Sequence, residues 1–472
     1  MDFNDGTGMI SPGTLRDADA DVNIKASKVP RSPGAMGRKN FMDRTFSKLD
    51  KGSVRGSIMS LVSAAVGGGV LSLPFVFALS GWVTGVFLLI LGAFAGIWSN
   101  YLIAEVAIRK KLVNFDQVAK AGGGACLQKL LAIMILIYLP GSCITYMILF
   151  NALIGYVANA FGLDAAFVNT MEFRAIVGVP ATLLFYFPLS MKRDMSAFAY
   201  GGVASVIALL YVALIMVIEM PWYNSEAWKD EKRDIQSFPV YIDLNIFTSC
   251  SITFFAYTCQ VQLMPVYSEL VNPNFRRIKK VITRSLLTDM FFYMIIGVAG
   301  YMSTFNYTQS IVVERPPLEG YSKDYYMLVG ALAICLIMVA SLPVNYHPWR
   351  YQIFIFCFNR DDFNQCENAI ITSIFMIFCT GVAIVFPNIT SVLSILGGLC
   401  SCTMSYLIPT IAYVRMSKFK WYHHTNLLPI LFFGTLTIIG YISVVATVFL
   451  LVSGNKTGTI GNRTDLHTDP SA

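Results

Sequence analysis

The chain has 472 residues, of which 55% are hydrophobic and only 13% are charged, with a formal net charge of +7. Soluble domains carry about 25% charged residues, so this composition excludes a soluble globular protein and predicts a multi-pass membrane protein. The basic residues stand in short groups between apolar runs rather than along one face, which argues against a nucleic-acid partner. The ten cysteines form no pattern typical of a disulfide framework.

Apolar runs of the length needed to cross a bilayer occur eleven times along the chain. About 20 helical residues cross the ~30 Å hydrocarbon layer. We number the predicted spans one to eleven in chain order, at residues 55–80, 83–107, 127–159, 174–191, 197–219, 244–268, 283–304, 325–349, 367–386, 390–414 and 427–453. The polar tail 1–54 is predicted to be disordered and cytosolic, and a short tail, 454–472, is predicted to lie on the other side.

Two features of the loops predict a cytosolic N-terminus. Most of the 35 lysines and arginines fall in the first tail and in the alternate loops that this orientation places inside. The Asn-x-Ser/Thr sequons fall on the opposite side, where Asn306, Asn455 and Asn462 are predicted glycosylation sites and Asn388 is too close to the membrane. The plasma membrane and a vacuolar or lysosomal membrane both fit this topology, and we expect a monomer in the lipid bilayer.

Span one contains an unusual cluster of helix-breaking residues. It reads VSAAVGGGVLSLPF, with Gly67, Gly68 and Gly69 in its middle and Pro74 after them. Three adjacent glycines cost roughly 3 kcal/mol of helix propensity relative to alanine. Close helix packing is the alternative explanation, although spaced small residues are its usual pattern. The cluster favours an unwound segment that faces a ligand.

Span six has a break at the corresponding position of the second half of the chain. Its sequence, SITFFAYTCQVQLMPVYSEL, places Thr258, Gln260 and Pro265 at mid-membrane depth. Interrupted helices at equivalent positions of two inverted halves indicate a binding site between them. We therefore predict a first five-helix repeat at about 55–219, a second at about 244–414, and an extra helix at 427–453.

The two breaks offer complementary backbone groups. The freed amides of Gly68, Gly69 and Val70 lie at the positive end of a helix and would suit a carboxylate. The freed carbonyls from Phe255 through Thr258 would suit an ammonium group or a cation. Because a zwitterionic amino acid carries both groups, it is the ligand that this pattern favours.

At these residues the sequence resembles the amino acid/auxin permease family, in particular its branch of sodium-coupled neutral amino acid transporters. Residues 67–74 are similar to the family pattern G-x-G-(I/V)-L-x-L-P. Residues 255–261 and 264–270 resemble F-A-F-x-C-H-P and L-P-I-Y-x-E-L, with Gln260 and Val261 in place of His and Pro. Pro343, Pro348 and Arg350 match P-x-x-x-x-P-x-R, and the resemblance covers nearly all of residues 55–453.

This resemblance implies a fold and a substrate site. The fold is an all-α polytopic membrane protein with eleven transmembrane helices, arranged as the 5+5 inverted repeat of the bacterial leucine transporter plus one helix. Tyr146 matches a tyrosine that many family members carry in helix three, although packing alone explains many buried tyrosines. The substrate-binding residues implied are Gly67, Gly68, Gly69, Val70, Tyr146, Phe255, Tyr257, Thr258 and Cys259.

Four residues are candidates for ion coupling. In the family an Asn of helix one and a hydroxyl of helix eight bind sodium, and the matching positions here are Ser63 and Ser341. The missing asparagine leaves fewer oxygen ligands for sodium. Asp289 and His347 are ionisable residues within spans seven and eight, and such residues are functional by default. Asp289 could instead pair with a polar neighbour, and His347 could be a structural histidine at the membrane surface.

The predicted function is secondary-active transport of neutral amino acids by alternating access, coupled to sodium or a proton as the only cofactor. A non-transporting amino acid sensor and a structural subunit of a membrane complex are the alternatives. The serine at position 63 favours either of these, because it weakens the ion site. The sequence contains no metal-ligand cluster, nucleotide loop or nucleophile motif, so we do not expect an enzyme.

Overall fold

A computed structural model of the chain describes residues 52–65, 67–192, 201–227, 235, 237–238, 244–315, 317, 324–358, 360 and 363–453. These residues are helical, with no β-strand among them. The tail 454–472 and nearly all of the tail 1–54 lie outside the described residues. The predicted glycosylation sites Asn455 and Asn462 and the side chain of Asn306 also lie outside them.

Spans two to five and seven to eleven each contain a helix long and apolar enough to cross a membrane. Their bounds are Trp82–Lys110, Phe115–Ala160, Met171–Met191, Val203–Ser225, Phe275–Thr304, Tyr325–Phe358, Gln365–Val385, Ile389–Met416 and His424–Val452. Span three begins twelve residues earlier than the hydropathy predicts. Its inner segment joins the membrane helix at Gly124, whose φ of +66° is a left-handed conformation that glycine adopts without strain.

Spans one and six are broken, as the sequence predicts. Span one consists of Val54–Ala65 and Leu73–Ser80, joined through a 3-10 turn at Gly68–Ser72, and its halves are bent by 53°. Span six consists of Leu244–Ala256 and Gln260–Glu269. Its halves have only 13 and 10 residues, too few for either to cross alone. Length and composition therefore give nine crossings in the described residues, or ten with span one, and do not establish the predicted count of eleven.

The central packing of the bundle places both breaks beside span seven. This helix contacts both halves of span one and also packs on spans two and five. Span ten packs against span six so closely that a Cβ atom on Gly397 would lie 1.9 Å from the carbonyl oxygen of Ser251. The broken spans are thus enclosed by continuous helices, which can hold them in a fixed position.

The loop between spans seven and eight covers one end of the broken spans. We call this end outer, following the predicted charge distribution. A 3-10 turn, Val312–Glu314, packs against the Gly68–Ser72 turn and span three. Val312 and Val313 are at most 2% exposed. The loop therefore closes the outer approach to the break of span one.

One arginine fastens this loop to the surrounding helices. Arg315 is only 1% exposed and forms ion pairs with Glu219 of span five and Asp324 at the start of span eight. Its guanidinium also lies 4.1 Å from the ring centroid of Tyr223. The charge of Arg315 alone would predict a solvent-exposed side chain. The side chain is instead buried where the loop meets spans five and eight.

Candidate functional site

The breaks of spans one and six lie directly against each other. A Cβ atom on Gly69 would lie 2.9 Å from the ring of Phe255 and 3.7 Å from the Cα atom of Ala256. A Cβ atom on Gly68 would lie 2.7 Å from Leu149 and 2.8 Å from Thr145. The chain therefore unwinds at these glycines and also packs too tightly for side chains, while the predicted contact with a ligand stays a prediction.

The backbone of the span-one break differs from the prediction at Val70. Its amide is not free, since it donates a hydrogen bond to the carbonyl of Gly67 at 3.3 Å. The reason is that the chain unwinds into a 3-10 turn, whose amides bond to the third residue before them. Gly68 and Gly69 lie in the first turn of this segment, where helix amides lack partners within the helix.

The break of span six also satisfies part of its own backbone. The carbonyl of Phe255, predicted to be free, accepts a hydrogen bond from the amide of Thr258 at 3.1 Å. The amide of Cys259 donates to the side-chain oxygen of Gln260 at 3.0 Å. Gln260, which stands in place of the family histidine, thus closes the break locally. A carbonyl oxygen has two lone pairs, so Phe255 can still accept a second donor.

Tyr293 of span seven joins the two broken spans. Its hydroxyl lies 2.9 Å from the carbonyl oxygens of Ala65 and of Ala256, and donates to both. These residues end the first halves of spans one and six, where helix carbonyls lack partners within the helix. Tyr293 was not predicted from the sequence, where its one signal is a tyrosine placed four residues after Asp289.

Tyr146 lies beside the span-one break, and its role in substrate binding stays a prediction. Its hydroxyl oxygen would be 3.4 Å from a Cβ atom on Gly67, and it accepts a hydrogen bond from the side-chain amide of Asn345 at 3.3 Å. This bond leaves the phenol proton of Tyr146 for another acceptor. Asn345 was also missed, because its span-eight motif was identified by its prolines and arginine.

The other predicted residues of span six lie on a different side of the break. The ring of Tyr257 packs against span two at Gly92 and lies 5.1 Å from the ring of Tyr293. The sulfur of Cys259 accepts a hydrogen bond from Asn100 of span two at 3.6 Å. Thr258 donates through its hydroxyl to the carbonyl of Phe254 at 2.8 Å. Tyr257 and Cys259 therefore line a cluster with spans two and seven.

The structure shows the surroundings of three of the four candidate ion-coupling residues, and their predicted role stays a prediction. Ser63 donates to the carbonyl of Ser60 at 3.0 Å, and no described hydrogen bond links it to Ser341. Asp289 is fully buried in span seven. His347 lies elsewhere, with its Nδ1 atom 2.7 Å from a guanidinium nitrogen of Arg350.

Comparisons with known proteins agree with this architecture. The family model described as transmembrane amino acid transporter protein matches residues 50–453. The vacuolar amino acid transporter 5 of Schizosaccharomyces pombe is 22% identical over 374 residues, which are 78% of this chain and 86% of that protein. The sodium-coupled neutral amino acid transporter 7 of Danio rerio is 24% identical over 364 residues, which are 74% of this chain and 76% of that protein.

A solved structure has the same fold. The manganese transporter of Eremococcus coleocola matches with a TM-score of 0.50 over 85% of this chain and 88% of its own. Its sequence is only 11% identical, so it shows the fold alone. The predicted all-α polytopic fold is confirmed. Because the family model covers most of its length, the chain belongs to the transmembrane amino acid transporter family and is a multi-pass amino acid transporter, not an enzyme.

Proposed function

We propose that the chain moves neutral amino acids by alternating access, driven by a cation gradient. The substrate carboxylate would lie between the amides of Gly68 and Gly69 and the hydroxyl of Tyr146. The substrate ammonium group would lie toward the carbonyls at the end of Leu244–Ala256.

The observation that carries this proposal is the direct contact of the two breaks at Gly69 and Phe255. The first turn at Gly68 is the positive end of one helix, and the last turn at Ala256 is the negative end of another. Opposite ends at one point favour a molecule with separated positive and negative groups. The phenol proton of Tyr146 adds a donor on the carboxylate side.

The side chains around the span-one break support a neutral substrate. Thr145, Tyr146, Leu149 and Phe255 are the residues that a Cβ atom on the glycines would meet. All four are uncharged at neutral pH. A substrate with a charged side chain would lose its hydration here without gaining a counter-ion, which costs several kcal/mol.

We also propose, second to the substrate site, that Ser63 and Ser341 contribute to a sodium site. Both hydroxyls are half-buried and each could supply one oxygen. Hard cations need several oxygen ligands at once, so carbonyls of the first half of span one would have to complete the shell.

Counterflow in proteoliposomes tests the function, because it needs substrate exchange but no imposed gradient. We expect neutral amino acids to exchange, and lysine and glutamate to exchange at least tenfold more slowly. Gly68→Ala should reduce exchange at least tenfold, since its methyl group would meet Leu149 and Thr145. Gly381→Ala is the matched control, because nothing lies within 4 Å of its Cβ position.

Two results would contradict the proposal. Folded protein that binds amino acids without exchanging them would be a sensor. Equal exchange in Gly68→Ala and Gly381→Ala would place the substrate away from the break of span one.

A further inference from the structure

Span seven contains a carboxyl group that the substrate site does not use. Asp289 is 0% exposed, and both of its carboxyl oxygens lack a hydrogen-bond partner. No ion pair among the described residues includes it. An isolated carboxylate in such a place costs several kcal/mol.

The residues that the structure describes around Asp289 supply no positive charge. The ionisable side chains within electrostatic range are Tyr257, Cys259 and Tyr293, each of which is neutral or negative. The charged residues of the packed helices lie nearer the helix ends than Asp289 does: Arg55 in span one, Arg276, Arg277, Lys279, Lys280 and Arg284 in span seven, Glu105, Arg109 and Lys110 in span two, and Glu219 in span five.

Further polar atoms of this region also lack partners. The side-chain oxygen of Asn100, the hydroxyl of Tyr257 and the side-chain nitrogen of Gln260 are buried without a hydrogen bond. Native proteins leave few such groups unsatisfied, and a group of them needs an explanation. Asn100 and Gln260 both bond to Cys259, through its sulfur and its amide, so these polar residues form one cluster.

The helix ends beside this cluster make it attractive to a cation. Tyr293, one turn after Asp289, bonds the carbonyls that end the first halves of spans one and six. Each of these helix ends carries a partial negative charge. A negative Asp289 beside them is stable only when it binds a positive ion.

The groups available favour a proton over a metal ion. A hard cation takes several oxygen ligands at short, regular distances. Apart from the two carboxyl oxygens of Asp289, the unbonded oxygens of this cluster are those of Asn100 and Tyr257, because Cys259 offers a thiol and the phenol of Tyr293 is already committed to two carbonyls. A proton needs only the carboxyl oxygen itself.

We propose that Asp289 is the binding site of the coupling proton, and that Tyr293 is the positioning residue that transmits its occupancy to both broken spans. One proton binds the carboxylate while the site is open to the side of higher proton concentration and leaves on the other side, together with one amino acid. This inference rests on the proposed function and names its coupling ion.

The test separates exchange from accumulation in proteoliposomes with a clamped membrane potential. Wild-type protein should accumulate a neutral amino acid about tenfold for each unit of an imposed pH gradient, as one proton per substrate requires. Asp289→Asn should keep counterflow within about twofold and lose all accumulation. Glu105→Gln, an acid that pairs with Arg109 near the helix end, should behave as wild type.

Two further measurements test the inference even if the asparagine variant does not fold. A pH dye inside wild-type vesicles should report acidification when substrate enters, whether or not the asparagine variant folds. Asp289→Glu should keep accumulation and shift the pH of half-maximal uptake. The shift would not arise from a purely structural acid.

Three results would overturn the inference. Accumulation by Asp289→Asn along a pH gradient would make the acid structural, and accumulation by wild-type protein along a sodium gradient alone would make the ion sodium. If wild-type protein catalyses counterflow but shows no gradient-driven accumulation, the chain is a transporter that is not coupled to a proton. Absence of counterflow would instead reject the proposed function on which the inference rests.

Discussion

The hydroxyl of Tyr293 donates a hydrogen bond to the carbonyl oxygen of Ala256, and shares the same proton with Ala65. One phenol on a continuous helix therefore holds together the ends of the first halves of spans one and six. In the proposed alternating-access cycle, movement of either broken span relative to span seven would stretch or release this contact. Span seven is thus the element through which the two breaks can act as one unit.

Removal of this hydroxyl should weaken both folding and transport. Tyr293→Phe leaves two buried carbonyls without a partner, and we expect a loss of about 1–3 kcal/mol in the free energy of unfolding. We also expect slower counterflow, because the breaks lose their common support. Thermal unfolding in detergent and counterflow in vesicles measure the two effects.

Tyr441→Phe is the control, because it removes a hydroxyl that bonds to Thr403 of span ten rather than to a carbonyl of either broken span. Unfolding and counterflow of Tyr293→Phe that match this control would show that the breaks do not depend on the shared bond.

The close contact between spans ten and six leads to a second prediction. A Cβ atom on Gly397 would lie 1.9 Å from a backbone oxygen of Ser251, and backbone cannot move aside as a side chain can. We expect Gly397→Ala to destabilise the protein by about 3 kcal/mol. Gly434→Ala meets nothing within 4 Å and should be neutral or stabilising by up to about 1 kcal/mol. Similar melting temperatures for the two variants would contradict this packing.

The sequence predicted the two breaks because the residues within each short segment are enough to locate a break. Adjacent glycines and a proline lower helix propensity wherever they stand, so span one could be located without knowledge of its neighbours. The same local argument failed at Val70, since it predicts that a helix ends without specifying that a 3-10 turn follows.

Contacts between distant residues could not be predicted in this way. Tyr293 and Ala65 are 228 residues apart, and Arg315 and Glu219 are 96 apart. An arginine in a loop between two spans is usually solvated, and only the fold shows that Arg315 is 1% exposed. Hydropathy also does not show which side chains of different spans meet, so it could not distinguish the cluster at Asp289 from the site at the glycines.

The buried arginine of the outer loop supports a third prediction. Arg315→Met would leave Glu219 and Asp324 without their counter-ion, and removal of one partner from a buried pair costs about 3–5 kcal/mol. Combination with Glu219→Gln should cost less than the two single changes together, by about 0.5–3 kcal/mol. Equilibrium unfolding of the four proteins measures this coupling.

Arg360→Met is the matched control, because Arg360 pairs with Glu367 on the surface, where the arginine side chain is 45% exposed. An exposed pair contributes about 0–1 kcal/mol. Equal losses for the two arginine variants would show that the outer loop is not fastened by Arg315.

The outer loop should also respond to pH through Glu314. Burial raises the pKa of this half-buried residue from its ordinary value of 4.5 to about 7. Between these two values the packed loop binds more protons than the released loop. The stability of the packed loop therefore falls as pH rises from about 4.5 to 7, and changes little above that.

Hydrogen exchange of the loop amides at 311–315 measures this dependence. Wild-type protein and Glu314→Gln should be protected equally at pH 5, and wild type should be less protected at pH 8, because residue 314 is then charged only in wild type. Comparing the two proteins at the same pH cancels the intrinsic effect of pH on the rate of amide exchange. An unchanged ratio of the two exchange rates from pH 5 to pH 8 would show that Glu314 does not control the closure of the outer side.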